Sequence, residues 1–361
     1  MNSDHVCDLD SDISNSLEGN MKYQPPYTIT PVIVNLVAVI SETIGRYTVL
    51  AEQRLTPWLR RENRIRTIHA SLAIENNTLT LEQVTAVIEG KRVLGHLREI
   101  QEVRNAFVAY EAMENWHANS ERDLLSVHEL LMQGLMDEAG CYRSGGVGIF
   151  QDKQLVHMVP PAGRVPKLMA DLLEWLTTTT EHPLIAGCVF HYELEFIHPF
   201  ADGNGRMGRL WQTLILRDWN ALLAYLPVET MVREHQESYY QALAAADERA
   251  DATPFVEYML GKLLAALQEA VDSHQTTDQV SDQVTDQVAK LIQAIGSGEL
   301  GSNDLMQALG LMHRPTFRGN YLNPALAGDW IERTQPDSPR SPTQRYRLTP
   351  KGRQWLQQQT G

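Results

Sequence analysis

The stretch His198-Pro-Phe-Ala-Asp-Gly-Asn-Gly-Arg-Met-Gly-Arg209 lies between two apolar helical patterns, Leu184–Ile197 and Leu210–Trp219. It reads as a tight loop joining two core helices, the second starting near Gly205. Twelve residues hold one imidazole (His198), one carboxylate (Asp202), one carboxamide (Asn204), three glycines and two guanidiniums. Glycines let the backbone approach a ligand closely and take positive φ. Successive N–H groups at a helix start form a concave anion site, reinforced by the helix dipole. Arg206 and Arg209 are three apart and share one face of the first turn, where guanidiniums can grip phosphate oxygens bidentately. Asp202 is a hard oxygen donor suited to Mg²⁺ bridging phosphates. His198 is placed to accept a proton from an attacking hydroxyl.

At these residues the chain resembles the Fic family, whose signature is His-x-Phe-x-Asp/Glu-Gly-Asn-Gly-Arg-x-x-Arg, and every specified position is filled. The resemblance implies a protein adenylyltransferase that moves AMP from ATP to a Tyr, Thr or Ser hydroxyl of a target protein or of itself. It implies His198 as general base and Asp202 as the Mg²⁺ ligand. The implied ATP-binding set is Gly203, Asn204, Gly205, Arg206, Met207, Gly208 and Arg209. Gly203 to Gly205 cradle the α- and β-phosphates, and the arginines hold the β- and γ-phosphates. The kinase-like branch of the family carries a different loop, with Asn for Asp and with Ala and Lys in the glycine-rich part, which this chain lacks.

Ser71-Leu-Ala-Ile-Glu-Asn76 closes a predicted helix over 57–74 that is basic in its first half. It resembles the inhibitory motif of Fic proteins, Ser/Thr-x-x-x-Glu-Gly/Asn. The resemblance implies that Glu75 reaches Arg209 and takes the place of the γ-phosphate, a carboxylate being a fair mimic of a phosphate edge. A capping box, Thr80-Leu-Glu-Gln83, opens the next helix, which Gly90 closes.

Further along, Gly146–Phe150 and Leu155–Val159 flank a polar tetrapeptide and read as a hairpin amid helices. In Fic proteins a flap here holds the target segment by strand addition, which implies a target protein bound at 146–159; a purely structural hairpin is the other reading. His157 reads as a flap surface residue. A helix is expected over 232–247. The resemblance places Tyr240 near adenine or ribose, and a core or surface role stays open for it. Residues 277–288 repeat Thr/Ser-Asp-Gln-Val and read as a polar linker. Beyond it, three short helices and two strands around a Pro/Ser-rich turn resemble a winged helix.

The expected fold is mainly α: a Fic-type helical bundle with a β-hairpin flap and a small C-terminal winged-helix-like domain. The expected organisation is an arm over 1–24, a helical region with the inhibitory helix over 25–95, a catalytic domain over 96–272, a linker over 273–288 and the small domain over 289–361. The chain's net charge is −14, which argues against nucleic acid or anionic membrane as a partner of the whole protein. Residues 281–361 hold 9 of the 31 Lys/Arg and 7 of the 45 Asp/Glu, a local net of +2. That footprint leaves DNA contact and protein contact open for the small domain. Cys7, Cys141 and Cys188 are far apart and odd in number, which fits a reducing compartment. No signal peptide or membrane span is legible, so the expectation is a cytoplasmic protein. A homodimer stays open. So do a DNA-binding regulator with a nucleotide-sensing Fic-like domain, a UMP-transferring variant and one that removes AMP.

Overall fold

A computed structural model describes residues 23–54, 57–146, 149–151, 154–157, 159–282, 286–311, 313–335, 341 and 343–360. The arm expected over 1–24 lies outside these residues except for Tyr23 and Gln24, and so do the turns at 152–153 and 336–340. The chain divides into two compact units, Met1–Val271 and Asp272–Gly361.

The first unit is helical: α1 (Pro31–Arg54), α2 (Pro57–Ile74), α3 (Leu81–Ile88), α4 (Leu97–Glu111), α5 (Glu121–Met132), then the strands β1 (Ile149–Gln151) and β2 (Gln154–His157). There follow α6 (Val165–Thr178), α7 (Pro183–Ile197), α8 (Asn204–Trp219), α9 (Val228–Glu234), α10 (Gln236–Arg249) and α11 (Thr253–Asp282), whose residues from Asp272 on belong to the second unit. Twelve of the fifteen residues of α7 are buried. A helix that is apolar nearly all round belongs at the centre of a core. It packs against α8 where Gly187 lets Gln212 and Ile215 approach, both 3.6 Å from where a Cβ would stand. The segment before α1 is tied down at depth: Tyr23 donates to Glu193 Oε2 at 2.6 Å, and Ala252 N–H donates to Pro26 O at 2.7 Å. The capping box opens α3 as its residues predict, with Thr80 accepting from Gln83 N–H and Gln83 accepting from Thr80 N–H.

β1 and β2 pair antiparallel, Phe150 opposite Leu155 and Gln151 opposite Gln154. The helix expected over 232–247 is two helices. His235 leaves helical geometry at φ −125° and ends α9 before α10 begins. The apolar positions keep phase across the break, and no glycine or proline marks it.

The second unit holds α12 (Asp286–Ile295), β3 (Leu300–Gly301), α13 (Ser302–Ala308), α14 (Arg314–Phe317), α15 (Asn323–Ala327), β4 (Ile331–Arg333), β5 (Arg345–Leu348) and α16 (Pro350–Thr360). Its three strands are antiparallel in the order β3-β5-β4. It has its own core, built on Leu291, Ile292, Leu305, Phe317 and Ile331. Val288, expected in the linker, is 2% exposed within that core. The repeat before it continues α11 to Asp282.

Candidate active site

His198 ends α7 in the left-handed region, φ 50° and ψ 61°. A non-glycine residue there needs surrounding support. Arg143 supplies it. This buried guanidinium donates to His198 O (2.7 Å), Ile197 O (3.3 Å), Gly145 O (3.1 Å) and Pro160 O (2.5 Å), and the Arg143 main-chain N–H donates to Pro199 O at 2.9 Å. One side chain thus fixes the start of the loop and both roots of the hairpin.

Asn204 closes the loop. Its Oδ1 accepts from Phe200 N–H and its Nδ2 donates to Phe200 O, each at 2.9 Å. Its side chain is therefore engaged within the loop. Beneath it, the buried His128 ring stacks on Phe200 with 3.7 Å between centroids. His128 Nδ1 accepts from Gly140 N–H at 2.9 Å, so Nε2 carries the proton and donates to Asp202 O at 3.0 Å. Burial pushes this imidazole down to about 4, so it stays neutral. Gly203 takes φ 88°, and a Cβ there would stand 2.8 Å from Met132 Sδ. Both facts require glycine.

Met207 and Gly208, expected in the ATP-binding set, turn toward the core. Met207 is fully buried. A Cβ on Gly208 would stand 2.5 Å from His191 Cδ2 on α7. That glycine serves helix packing. Helical periodicity alone gives no sign of this, because any residue in the first turn can equally face a ligand. His191 donates from Nδ1 to Gln212 Oε1 at 2.6 Å and accepts at Nε2 from Tyr239 Oη at 3.2 Å. Burial pushes it down to about 3.

The two motif arginines diverge. Arg206 donates to Asp202 Oδ1 at 3.1 Å and lies 3.8 Å from Glu102 Oε1. Arg209 turns to α2, donating from Nε to Ser71 Oγ (3.1 Å) and from Nη2 to Ser71 O (3.0 Å) and Glu75 Oε1 (2.8 Å). The end of α2 explains the spacing. Asn77 N–H donates to Leu72 O and Asn76 N–H to Ala73 O, a Schellman closure with Asn76 left-handed at φ 67°. Asn tolerates that conformation better than other non-glycine residues. Ser71 and Glu75, four apart, lie one above the other on the face toward Arg209. Burial opposes the charge on Arg209 more than any single neighbour favours it, but Glu75 together with Tyr239 and Glu195 outweighs burial, so the guanidinium is held above its ordinary value. A Cβ on Gly205 would stand 2.3 Å from Glu75 Oε1, so this glycine makes room for the pair.

Around it, Gln236 Nε2 and Tyr240 Oη donate to Ile74 O, the last carbonyl of α2, at 3.0 and 3.4 Å. This brings the half-exposed Tyr240 beside Glu75. Behind Arg209, a small cavity is lined by Glu229, Gln212, Thr213 and apolar side chains. Burial pushes the Glu229 carboxyl up to about 7.

Asp202 is half-exposed, and three donors reach its carboxylate: Gly203 N–H (2.6 Å), Arg206 (3.1 Å) and Arg98 Nη2 (3.0 Å). A carboxylate offers about four lone-pair directions, so one oxygen direction is left for a cation. Among the described residues no group of three or more His, Cys, Asp or Glu side chains converges on one point. A single carboxylate fits Mg²⁺, which is held by one or two carboxylates together with substrate phosphates. Arg98, Glu102, His128 and Arg143 escaped sequence reasoning, since each is remote from the motif in the chain and lies in no motif of its own.

In the second unit, Arg347 pairs with Glu332 (2.7 Å) and Glu299 (3.5 Å), and Arg345 and Arg353 donate to Glu299 O and Leu348 O. Arg314 and Arg318 are exposed at the start of the helical run 314–327. Among the described residues no helix is long and apolar enough to cross a membrane.

A helical bundle whose central helices are joined by an imidazole, a carboxylate and two guanidiniums at a helix N-terminus offers the donors that a phosphorylated ligand needs. Residues 118–216 match the Fic/DOC family, and residues 286–349 match the C-terminal domain of Filamentation induced by cAMP protein Fic-like. The chain belongs to the Fic family. It is 77% identical to a Fic family protein from Desulfovibrio desulfuricans G20, whose crystal structure is similar at a TM-score of 0.70, covering 91% of this chain and 99% of that one. It is 31% identical over 224 residues to protein adenylyltransferase fic-1 of Caenorhabditis briggsae, covering 58% of this chain and 42% of the relative. To protein adenylyltransferase Fic of Culex quinquefasciatus it is 31% identical over 212 residues, 55% of this chain and 40% of the relative. The chain thus spans about two fifths of the length of these curated relatives.

Proposed function

We propose that the protein is a protein adenylyltransferase restrained by its own α2. The observation that carries the reading is the loop itself. His198, Asp202 and the two arginines stand around the N-terminus of α8, and the one charge most fitted to a γ-phosphate, Arg209, is already paired with Glu75 at 2.8 Å. The names of the curated relatives support the reaction class.

In this reading ATP lies with its phosphates over the start of α8. A target hydroxyl, presented along the β1–β2 edge, attacks the α-phosphorus. His198 takes the hydroxyl proton as the new O–P bond forms and the bond to the bridging oxygen breaks, releasing pyrophosphate. The main-chain N–H groups of the glycine turn and the guanidinium of Arg206 stabilise charge on the transferring group. Asp202 would hold Mg²⁺, which neutralises phosphate charge when bound. Arg209 becomes available to the γ-phosphate when Glu75 leaves it. Tyr240 stands at the rim, where a base can stack.

Intact-mass spectrometry tests this on wild type, Glu75→Gly and Glu75→Gly/His198→Ala after incubation with ATP and Mg²⁺. The expected result is a gain of one AMP with Glu75→Gly and none with the double variant. An adduct that persists without His198 removes the assigned base. The absence of any adduct in all three, with self-modification and a supplied lysate target both assayed, removes the reaction.

A further inference from the structure

We propose that Arg98 is an internal competitor for the cation site, holding the Asp202 carboxylate in the nucleotide-free protein and lowering its affinity for a divalent cation. The inference rests on the reading of Asp202 as the metal-binding carboxylate.

Arg98 lies at the start of α4, outside the motif. Its Nη2 donates to Asp202 Oδ2 at 3.0 Å and its Nη1 to Leu135 O at 3.3 Å. Its Nε lies 3.5 Å from Glu102 Oε1. Arg206 already covers the other oxygen, Oδ1, at 3.1 Å. Asp202 is thus gripped from both sides by positive charge, although one guanidinium would satisfy it. Arg206 is buried, whereas the Arg98 side chain is 55% exposed. Of the two, Arg98 is the one that can yield.

The contact is also wired to α2. Glu102, which faces both arginines, accepts at Oε2 from Asn77 Nδ2 at 2.9 Å. Asn77 is the residue whose N–H completes the Schellman closure beside Glu75. The nucleotide-free site is therefore self-neutralised at both ends: Glu75 stands on Arg209 where phosphate would bind, and Arg98 stands on Asp202 where a cation would bind. The three arginines Arg98, Arg206 and Arg209 are matched by three carboxylates, Glu75, Glu102 and Asp202.

A divalent cation on Asp202 meets the Arg98 charge at close range. Doubling the unit-charge repulsion at water's dielectric, and allowing for salt, gives roughly a tenfold weakening of the cation. Removing Arg98 therefore tightens it, which is the opposite of what loss of a supporting residue would do.

The test titrates Mn²⁺ into the nucleotide-free protein and reads free Mn²⁺ by electron paramagnetic resonance on wild type, Arg98→Gln, Arg98→Lys and Asp202→Ala. Mn²⁺ binding is expected to tighten by roughly tenfold in Arg98→Gln and to stay near wild type in Arg98→Lys, which keeps the charge. Arg98→Gln binding Mn²⁺ no tighter than wild type overturns the proposal. Asp202→Ala binding as well as wild type overturns instead the assignment of Asp202 as the cation site. Circular dichroism melting of each variant checks that the half-exposed substitution leaves the fold intact.

Discussion

Glu75→Gly isolates the restraint, because it removes one carboxylate and leaves the arginine it pairs with in place. Glu75 Oε1 lies 2.8 Å from Arg209 Nη2, on a guanidinium only 2% exposed, while the Glu75 side chain is 37% exposed. A unit ion pair at about 4 Å contributes about 4 kcal/mol at the effective dielectric of a protein surface. Solvent reaching Glu75 screens that to about 2–3 kcal/mol. Raising a competent population from 1% to 50% takes about 2.7 kcal/mol, so this single pair is of the right size. From a competent population of 1%, a shift of about 2–3 kcal/mol raises the initial rate of self-modification in Glu75→Gly by roughly 20- to 60-fold. Glu75→Gln keeps an acceptor for Arg209 but loses the charge, and should fall between the two. The assay is a time course of AMP incorporation from radiolabelled ATP, with calorimetric ATP affinity measured alongside. If Glu75→Gly labels no faster than wild type, or if Glu75→Gln labels as fast as Glu75→Gly, a charge-based restraint on Arg209 is refuted.

The remaining expectations concern the backbone and a buried acid. Asn76→Gly should leave thermal stability and rate unchanged, since glycine takes φ 67° freely. Asn76→Val should cost about 1–2 kcal/mol in chemical denaturation and raise the labelling rate by misplacing Glu75. Gly203→Ala should cost about 1–3 kcal/mol in the same denaturation assay and abolish labelling, because it strains φ 88° and collides with Met132. Glu229 is held up near 7 against an unfolded value of 4.5. Below about pH 4.5 both states are protonated and Glu229→Gln should match wild type. Between pH 4.5 and 7 the unfolded state releases a proton that the folded state keeps, so wild type loses about 3 kcal/mol relative to Glu229→Gln across that window, with the difference level above it, read from denaturant midpoints at pH 4.5 and pH 8.

The mainly α fold, the loop between two core helices and the hairpin were legible because each leaves a local mark. Helical periodicity marks α7 and α8, a capping box marks α3, and two short apolar runs around a polar tetrapeptide mark β1 and β2. The end of α2 was legible in the same way, since Ser71 and Glu75 four apart before Asn76 describe a helix face and its closure. The break at His235 was not, because two helices burying the same side keep one periodicity across it. Nor was the inward turn of Met207 and Gly208, which depends on where α7 lies.

Residue type and spacing by themselves determined which groups carry the chemistry: an imidazole at a helix end, a hard carboxylate, and arginines at a helix start. They could do so because acid–base and phosphate-binding capacity belong to the side chain and to the local geometry of one loop. Only the tertiary structure decided what those groups are paired with. Arg98, Glu102, His128 and Arg143 come from α4, α5 and the segment before the hairpin. They reach Asp202, Arg206, Phe200 and His198 across 55 to 104 residues of chain. Charge pairing depends on distance in space, and that distance is set by how the helices pack.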